Sequence, residues 1–167
     1  DLPRERTHLG SWRKRERHLM EFECNLRDQL ERSRANLGLE TIDVYYVHNP
    51  ETQLDAVDRP EFLRRMRDAF AALEGAVGER KIARYGTATW NGYRQDAGTP
   101  GSLSLDELVA AARDVGGADH HFKVIQLPYN LAMPEAFTRA TQRVGTETVS
   151  LLEAARRLPA GTQVVLC

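Results

Sequence analysis

The sequence predicts an α/β domain in which parallel strands alternate with helices, and three observations carry that prediction. Four short runs rich in β-branched and aromatic residues, "TIDVYYVH", "KIARYGTAT", "HFKVIQLPY" and "QVVLC", recur at intervals of about forty residues. Apolar stripes of helical period lie between them. Polar side chains gather at the carboxyl end of the first three runs, while the amino ends carry ordinary charged surface. A propeller blade has no long helix and a paired-helix repeat has no strand, so the alternation excludes both. What remains is an open α/β sheet or part of a (β/α)8 barrel.

Each element has its own signal. Residues 1–18, "DLPRERTHLGSWRKRERH", are charged and without period, and read as a tail or divergent flank; residues 19–167 read as one domain. Leu19, Phe22, Leu26, Leu30, Ser33 and Leu37 share a helical face that Gly38 ends. Asp58 and Pro60 open a second helix, with Phe62, Met66, Ala69, Phe70, Leu73 and Val77 as its stripe and Gly78 as its stop. Ser104-Leu105-Asp106-Glu107 is a capping box, whose Ser and Glu side chains are expected to satisfy backbone amides reciprocally. Its helix runs to Gly116. A last helix is expected from about Thr146 to Leu158, before Gly161 and the fourth strand.

Composition narrows the function classes. At 167 residues and 41% hydrophobic content the chain can bury one sizeable core. Its 23 basic and 24 acidic residues nearly cancel, which leaves no electrostatic footprint for nucleic acid or an acidic membrane surface. Cys24 and Cys167 form no disulfide framework or CxxC pair and read as reduced thiols. No apolar run reaches the length of a membrane span and no signal segment is visible, so the expected location is the cytoplasm.

Ligands bind at the carboxyl ends of strands in both architectures. Those ends carry His48 and Asn49; Thr87, Thr89 and Asn91; and Gln126, Tyr129 and Asn130. His48 closes the apolar run "DVYYV" directly before Asn-Pro. It reads as an imidazole that polarises a substrate oxygen or moves a proton, against the plainer role of capping a strand end. Gln126 interrupts "VIQLPY", where an amide must find partners for both its ends. Thr87 and Thr89 fall on alternate positions, thus on one face. Trp90 and Tyr93 either stack on a ligand ring or close the rim. No metal is expected: His48 has no second ligand at suitable spacing, and His120 and His121 sit at the opposite strand end. No GxGxxG, P-loop or GxSxG occurs.

"LERSRANLGLETIDVYYVHNP" closely resembles the helix-strand passage of the aldo-keto reductases that ends in their catalytic histidine. "LEGAVGERKIARYGTATWN" is similar to the next unit, and "VIQLPYNL" to the strand bearing the family's Gln and aromatic-Asn pair. The resemblance runs from about Leu19 to Leu158. It implies a (β/α)8 barrel, read here as strands four to seven, that reduces aldehydes or ketones with NADPH or, alternatively, NADH. By resemblance His48 orients the carbonyl and Gln126 bonds the nicotinamide carboxamide. The family's Ser-Asn pair aligns with Ala88 and Thr89, which leaves Thr89, helped by Asn91, as the second carboxamide partner. Asn49 and Trp90 are then expected beside the substrate. The Asp, Tyr and Lys that complete the family's site have no counterpart before Leu19, so a chain of only these residues is expected to be inactive. A non-catalytic α/β remnant or binding module is the alternative. Open sheet edges at Thr41–His48 and Gln163–Cys167 imply self-association.

Overall fold

All four predicted strands lie within one or two residues of their expected bounds, because each is an apolar run bounded by Gly, Pro or a polar turn residue. The computed structural model describes residues 25–158 and 163–166. The expected tail, Leu19, Phe22, Cys24, Gly161 and Cys167 lie outside the described residues. The chain divides between Leu39 and Glu40 into two units. In the first, residues 25–37 form a helix (α1). Leu30 is buried, and Leu26 and Ser33 are half-buried, whereas Leu37 is exposed. Gly38, at φ 65°, ends the helix as predicted. The amides of Gly38 and Leu39 return to the carbonyls of Ala35 and Arg34, the two bonds of a Schellman motif.

The second unit is built on a parallel sheet. Its strands are β1 (Ile42–His48), β2 (Ile82–Ala88), β3 (Phe122–Leu127) and, after a hairpin of strands β4 and β5, β6 (Gln163–Leu166), in the order β1-β2-β3-β6. All three pairings are parallel. A six-residue 3-10 turn, Pro50–Asp55, follows β1. Helix α2 (Arg59–Gly78) returns the chain to β2, and α3 (Leu105–Gly116) to β3. The Asp58 carboxylate caps α2 by accepting the Glu61 amide at 3.0 Å. Phe62, Met66, Ala69, Phe70 and Leu73 are buried as predicted, with Ala76 rather than Val77 continuing the stripe. Phe70 packs on Tyr85 of β2 and Phe122 of β3, with ring centroids 5.2 and 5.0 Å apart, so α2 covers that face of the sheet.

Three local expectations change. Gly78 is the last helical residue of α2, and the reversal falls on Arg80, at φ 58°. The Arg80 and Lys81 amides donate to Val77 and Ala76, so an arginine occupies the position glycine usually takes. In the α3 cap, Ser104 accepts the Glu107 amide at 3.3 Å, but the Glu107 carboxylate turns to Arg59 instead of completing the box. The last helix, α5 (Leu151–Arg157), starts later than expected, after Ser150 as its cap. A one-turn helix α4 (Glu135–Thr138) and the antiparallel hairpin β4 (Ala140–Val144) and β5 (Glu147–Ser150) fill the stretch before it. Gly145 at φ 62° opens the two-residue turn between them. Thr146 and Thr148 are β-branched and suit that hairpin, which a helix-only reading passes over.

Strand parity sets which residues share a face. Val44 and Tyr46 of β1 pair with Arg84 and Gly86 of β2, and the row continues to Val124 on β3. Ile125 and Leu127 therefore point to the side of Tyr45 and Thr87, and Val124 and Gln126 share a face with Val44 and Tyr46. At Gly86 the register shifts, and a Cβ there would lie 1.8 Å from the Val124 carbonyl oxygen. Only glycine fits that approach.

Candidate active site

His48, Ala88 and Gln126 form one register row across three adjacent strands, at their carboxyl ends. Residues paired in parallel strands point the same way, so the imidazole and the amide share a face. Two strand spacings, about 10 Å, separate their backbones. Ala88 between them adds only a methyl group. His48 is exposed and Gln126 half-buried, so the imidazole meets solvent while the amide is partly shielded.

The turns beyond the row are tied to one another. The Asn49 amide donates to the Ala88 carbonyl at 2.7 Å, and the Thr89 amide to the Gln126 carbonyl at 3.0 Å. These two bonds carry the sheet one residue past its strands. Asn49 adopts a left-handed conformation, φ 44°, which asparagine tolerates better than most side chains. Its side-chain oxygen accepts the Trp90 amide at 3.3 Å, and its carbonyl accepts from the Thr52 amide and hydroxyl. Asn49 thus braces the turn through both of its oxygens.

The Thr89 side chain is turned inward. It is 5% exposed, donates its hydroxyl proton to the Glu51 carboxylate and accepts the Gly92 amide at 2.9 Å. A hydroxyl so engaged has no proton left for a cofactor oxygen. Thr87 is likewise internal, sharing a 2.6 Å hydrogen bond with the Tyr93 hydroxyl. Burial pushes the Tyr93 phenol above its ordinary range against the lowering effect of that bond, and the Glu51 carboxylate adds to the rise. Asn91 is exposed, and Trp90 exposes 59% of its surface at the rim. Asn130 accepts the amides of Ala132 and Met133 at 2.9 and 3.1 Å and shapes the turn after β3.

At the amino ends the histidines serve structure. Glu74 of α2 accepts the Tyr85 hydroxyl at 2.9 Å and the His121 amide at 2.7 Å, and its other oxygen lies 2.8 Å from His121 Nδ1. His120 is 1% exposed and neither ring nitrogen has a hydrogen-bond partner among the described residues. Burial holds its imidazole below the ordinary value. Among the described residues no three His, Cys, Asp or Glu side chains gather as a metal site, and no helix is long and apolar enough to cross a membrane. A depression of about 290 Å³ opens beside Arg59, Ser102, Glu107 and Arg143, away from the row; its Arg59 is already neutralised by Glu107.

The residue that sequence reasoning passed over is Glu51, 9% exposed and bonded to Thr89. Its signal was slight: a carboxylate directly after His-Asn-Pro, in a segment with no neighbouring base.

Among curated proteins none matches the chain in sequence, and among solved structures none matches it in fold. A family model described as "Aldo/keto reductase family" matches residues 12–95, half of the chain. That span contains His48, Asn49, Glu51, Thr89, Trp90 and Asn91, and Gln126 lies beyond it. With the matched span running through β1, α2 and β2 to the turn past the register row, the chain belongs to the aldo/keto reductase family.

Proposed function

We propose that the protein reduces aldehydes or ketones to alcohols with NADPH, NADH being the alternative, on a (β/α)8 barrel in which β1, β2, β3 and β6 are consecutive strands. The observation that carries this reading is the single row holding His48 and Gln126 on one face at the carboxyl ends of parallel strands. The row suits a nicotinamide, because an amide side chain carries the donor and the acceptor types that a carboxamide complements. A nicotinamide held there would supply the hydride to the carbonyl carbon, and the resulting alkoxide would take its proton from an acid that is not among the described residues. His48 donates a hydrogen bond to the carbonyl oxygen and draws charge onto it as the bond is reduced. Gln126 fixes the carboxamide, and the exposed side chain of Asn91 is the second partner in the place first expected for Thr89. Asn49, through its NH2 group, and Trp90, through its exposed ring, border the small-molecule substrate. Tyr93 is not the proton donor: it is fully buried, bonded to Thr87, and burial makes its phenol a weaker acid than usual. The proposed setting is the cytoplasm, with neither nucleic acid nor membrane as partner.

Cofactor titration tests this reading. In the full-length protein, Gln126→Ala should weaken NADPH binding, followed by fluorescence, by about 1–3 kcal/mol, since truncation leaves the carboxamide unpaired. NADPH affinity equal to that of the wild type would remove Gln126 from the site, and no NADPH binding by either protein would favour a non-catalytic module.

A further inference from the structure

Glu51 is a buried acid with no cation to meet it among the described residues. It lies in the first turn after His48-Asn49-Pro50, with no ion pair among the described residues, and its second oxygen, Oε2, is buried without a hydrogen-bond partner among them. A carboxylate so placed is costly, and what it provides is one hydrogen bond from the Thr89 hydroxyl. That bond adds a buried side-chain link between two turns that Asn49 ties at the rim, where its Oδ1 accepts the Trp90 amide. One is the turn following the imidazole; the other is the turn carrying Trp90 and Asn91. Thr89 in turn receives the Gly92 amide at 2.9 Å, which closes the second turn on itself. By alternation Thr89 follows the parity of Thr87 rather than that of Ala88, so the link runs behind the row of His48 and Gln126.

We propose that Glu51 is a positioning residue, its carboxylate clamping the turn after β1 to the turn after β2 and so fixing the direction in which His48 presents its imidazole. The kinetic consequence rests on the proposed reductase function; the clamp itself does not. A reactive group displaced by a fraction of its bond length to substrate loses much of its effect, which gives the clamp a functional value separate from stability.

The test is a cycle in the full-length protein. Glu51→Ala and Glu51→Gln are each made with His48 present and with His48→Ala, and kcat for NADPH-dependent reduction of a generic aldehyde is measured. Hydrogen exchange is followed in parallel over residues 49–53 and 89–92. With His48 present, Glu51→Ala should lower kcat by about tenfold or more, and with His48→Ala by less than about twofold, because the lost positioning then has nothing to position. Glu51→Gln keeps an acceptor oxygen for Thr89 and should recover most of the loss. Exchange should accelerate in the two turns and stay unchanged over residues 62–76 of α2. Equal losses of kcat in both backgrounds, or no loss in a folded Glu51→Ala protein, overturn the proposal. Should the wild type reduce no carbonyl, the reductase reading fails and the exchange decides: acceleration confined to the two turns upholds the clamp, and unchanged exchange overturns it. Should Glu51→Ala not fold, Thr89→Val removes the donor instead, with the same His48-dependent loss expected and a His48-independent loss counting against the clamp.

Discussion

At the scale of single residues, the proposed chemistry rests on side chains in the register row at the strand ends, and its supports on side chains behind that row. His48 and Gln126 stand on one side of the register row, and Glu51, Thr89, Thr87 and Tyr93 lie behind it. The cofactor affinity expected to fall in Gln126→Ala is the measurable sign of the first group, and the His48-dependent effect of Glu51 that of the second. That His48 and Gln126 stand at strand ends was legible in the sequence, because each interrupts or closes an apolar run. The inward turn of Thr89 was not, since parity alone shows that it alternates with Ala88 but not which of the two faces the ligand. The deciding partner, Glu51, lies 38 positions away in the chain, and no local pattern pairs them.

At the scale of elements, two departures from ordinary sequence rules give predictions. Arg80 ends α2 in a left-handed conformation at φ 58°, which costs an L side chain about 1 kcal/mol relative to glycine. Arg80→Gly should therefore stabilise the chain by about 0.5–1 kcal/mol, seen as a higher urea midpoint with an unchanged slope. A lower midpoint would mean that the arginine side chain contributes more than its backbone costs. The sequence pointed to Gly78 because glycine is the commonest stop, but the helix runs through it and turns two residues later. The hairpin β4–β5 escaped for a related reason: its strands are too short to show a period against the helix that follows.

His120 gives the second element-scale prediction. Burial, chiefly, and then the charge of Lys123 hold its imidazole below the ordinary value of 6.5; Glu74 opposes this, and Arg113 and His121 add to the lowering. Above pH 6.5 the ring is neutral in both folded and unfolded chains, and its stabilising contribution is fully present. As the pH falls below that value the unfolded chain takes up a proton that the folded chain resists, so stability declines. The decline continues until the folded ring also protonates. His120→Leu should flatten this acid limb in denaturant titrations between pH 7 and pH 5, taken as an illustrative window about the ordinary histidine value. An acid limb of unchanged steepness would place the sensitivity elsewhere.

At the scale of the molecule, the sheet has β1 and β6 as its edges among the described residues. Among the described residues each edge strand has a neighbour on one side only, and Val165 and Leu166 of β6 are each 39% exposed. Such edges favour pairing between chains. The 167-residue chain should accordingly associate at micromolar concentration in size-exclusion chromatography with light scattering, and a monomer that unfolds cooperatively would show the edges to be covered. The alternation of strand and helix was readable because each strand is an apolar run between turn residues; the closing of a barrel was not, because closure depends on pairing partners that periodicity does not identify. The central claim, that His48 serves carbonyl reduction, is tested most directly by NADPH oxidation in the full-length protein with a generic aldehyde, wild type against His48→Ala. The expected result is turnover by the wild type and a loss of kcat of about 10²–10³-fold in the variant, the usual worth of one hydrogen-bond donor at a developing oxyanion. Turnover by His48→Ala equal to that of the wild type would contradict it.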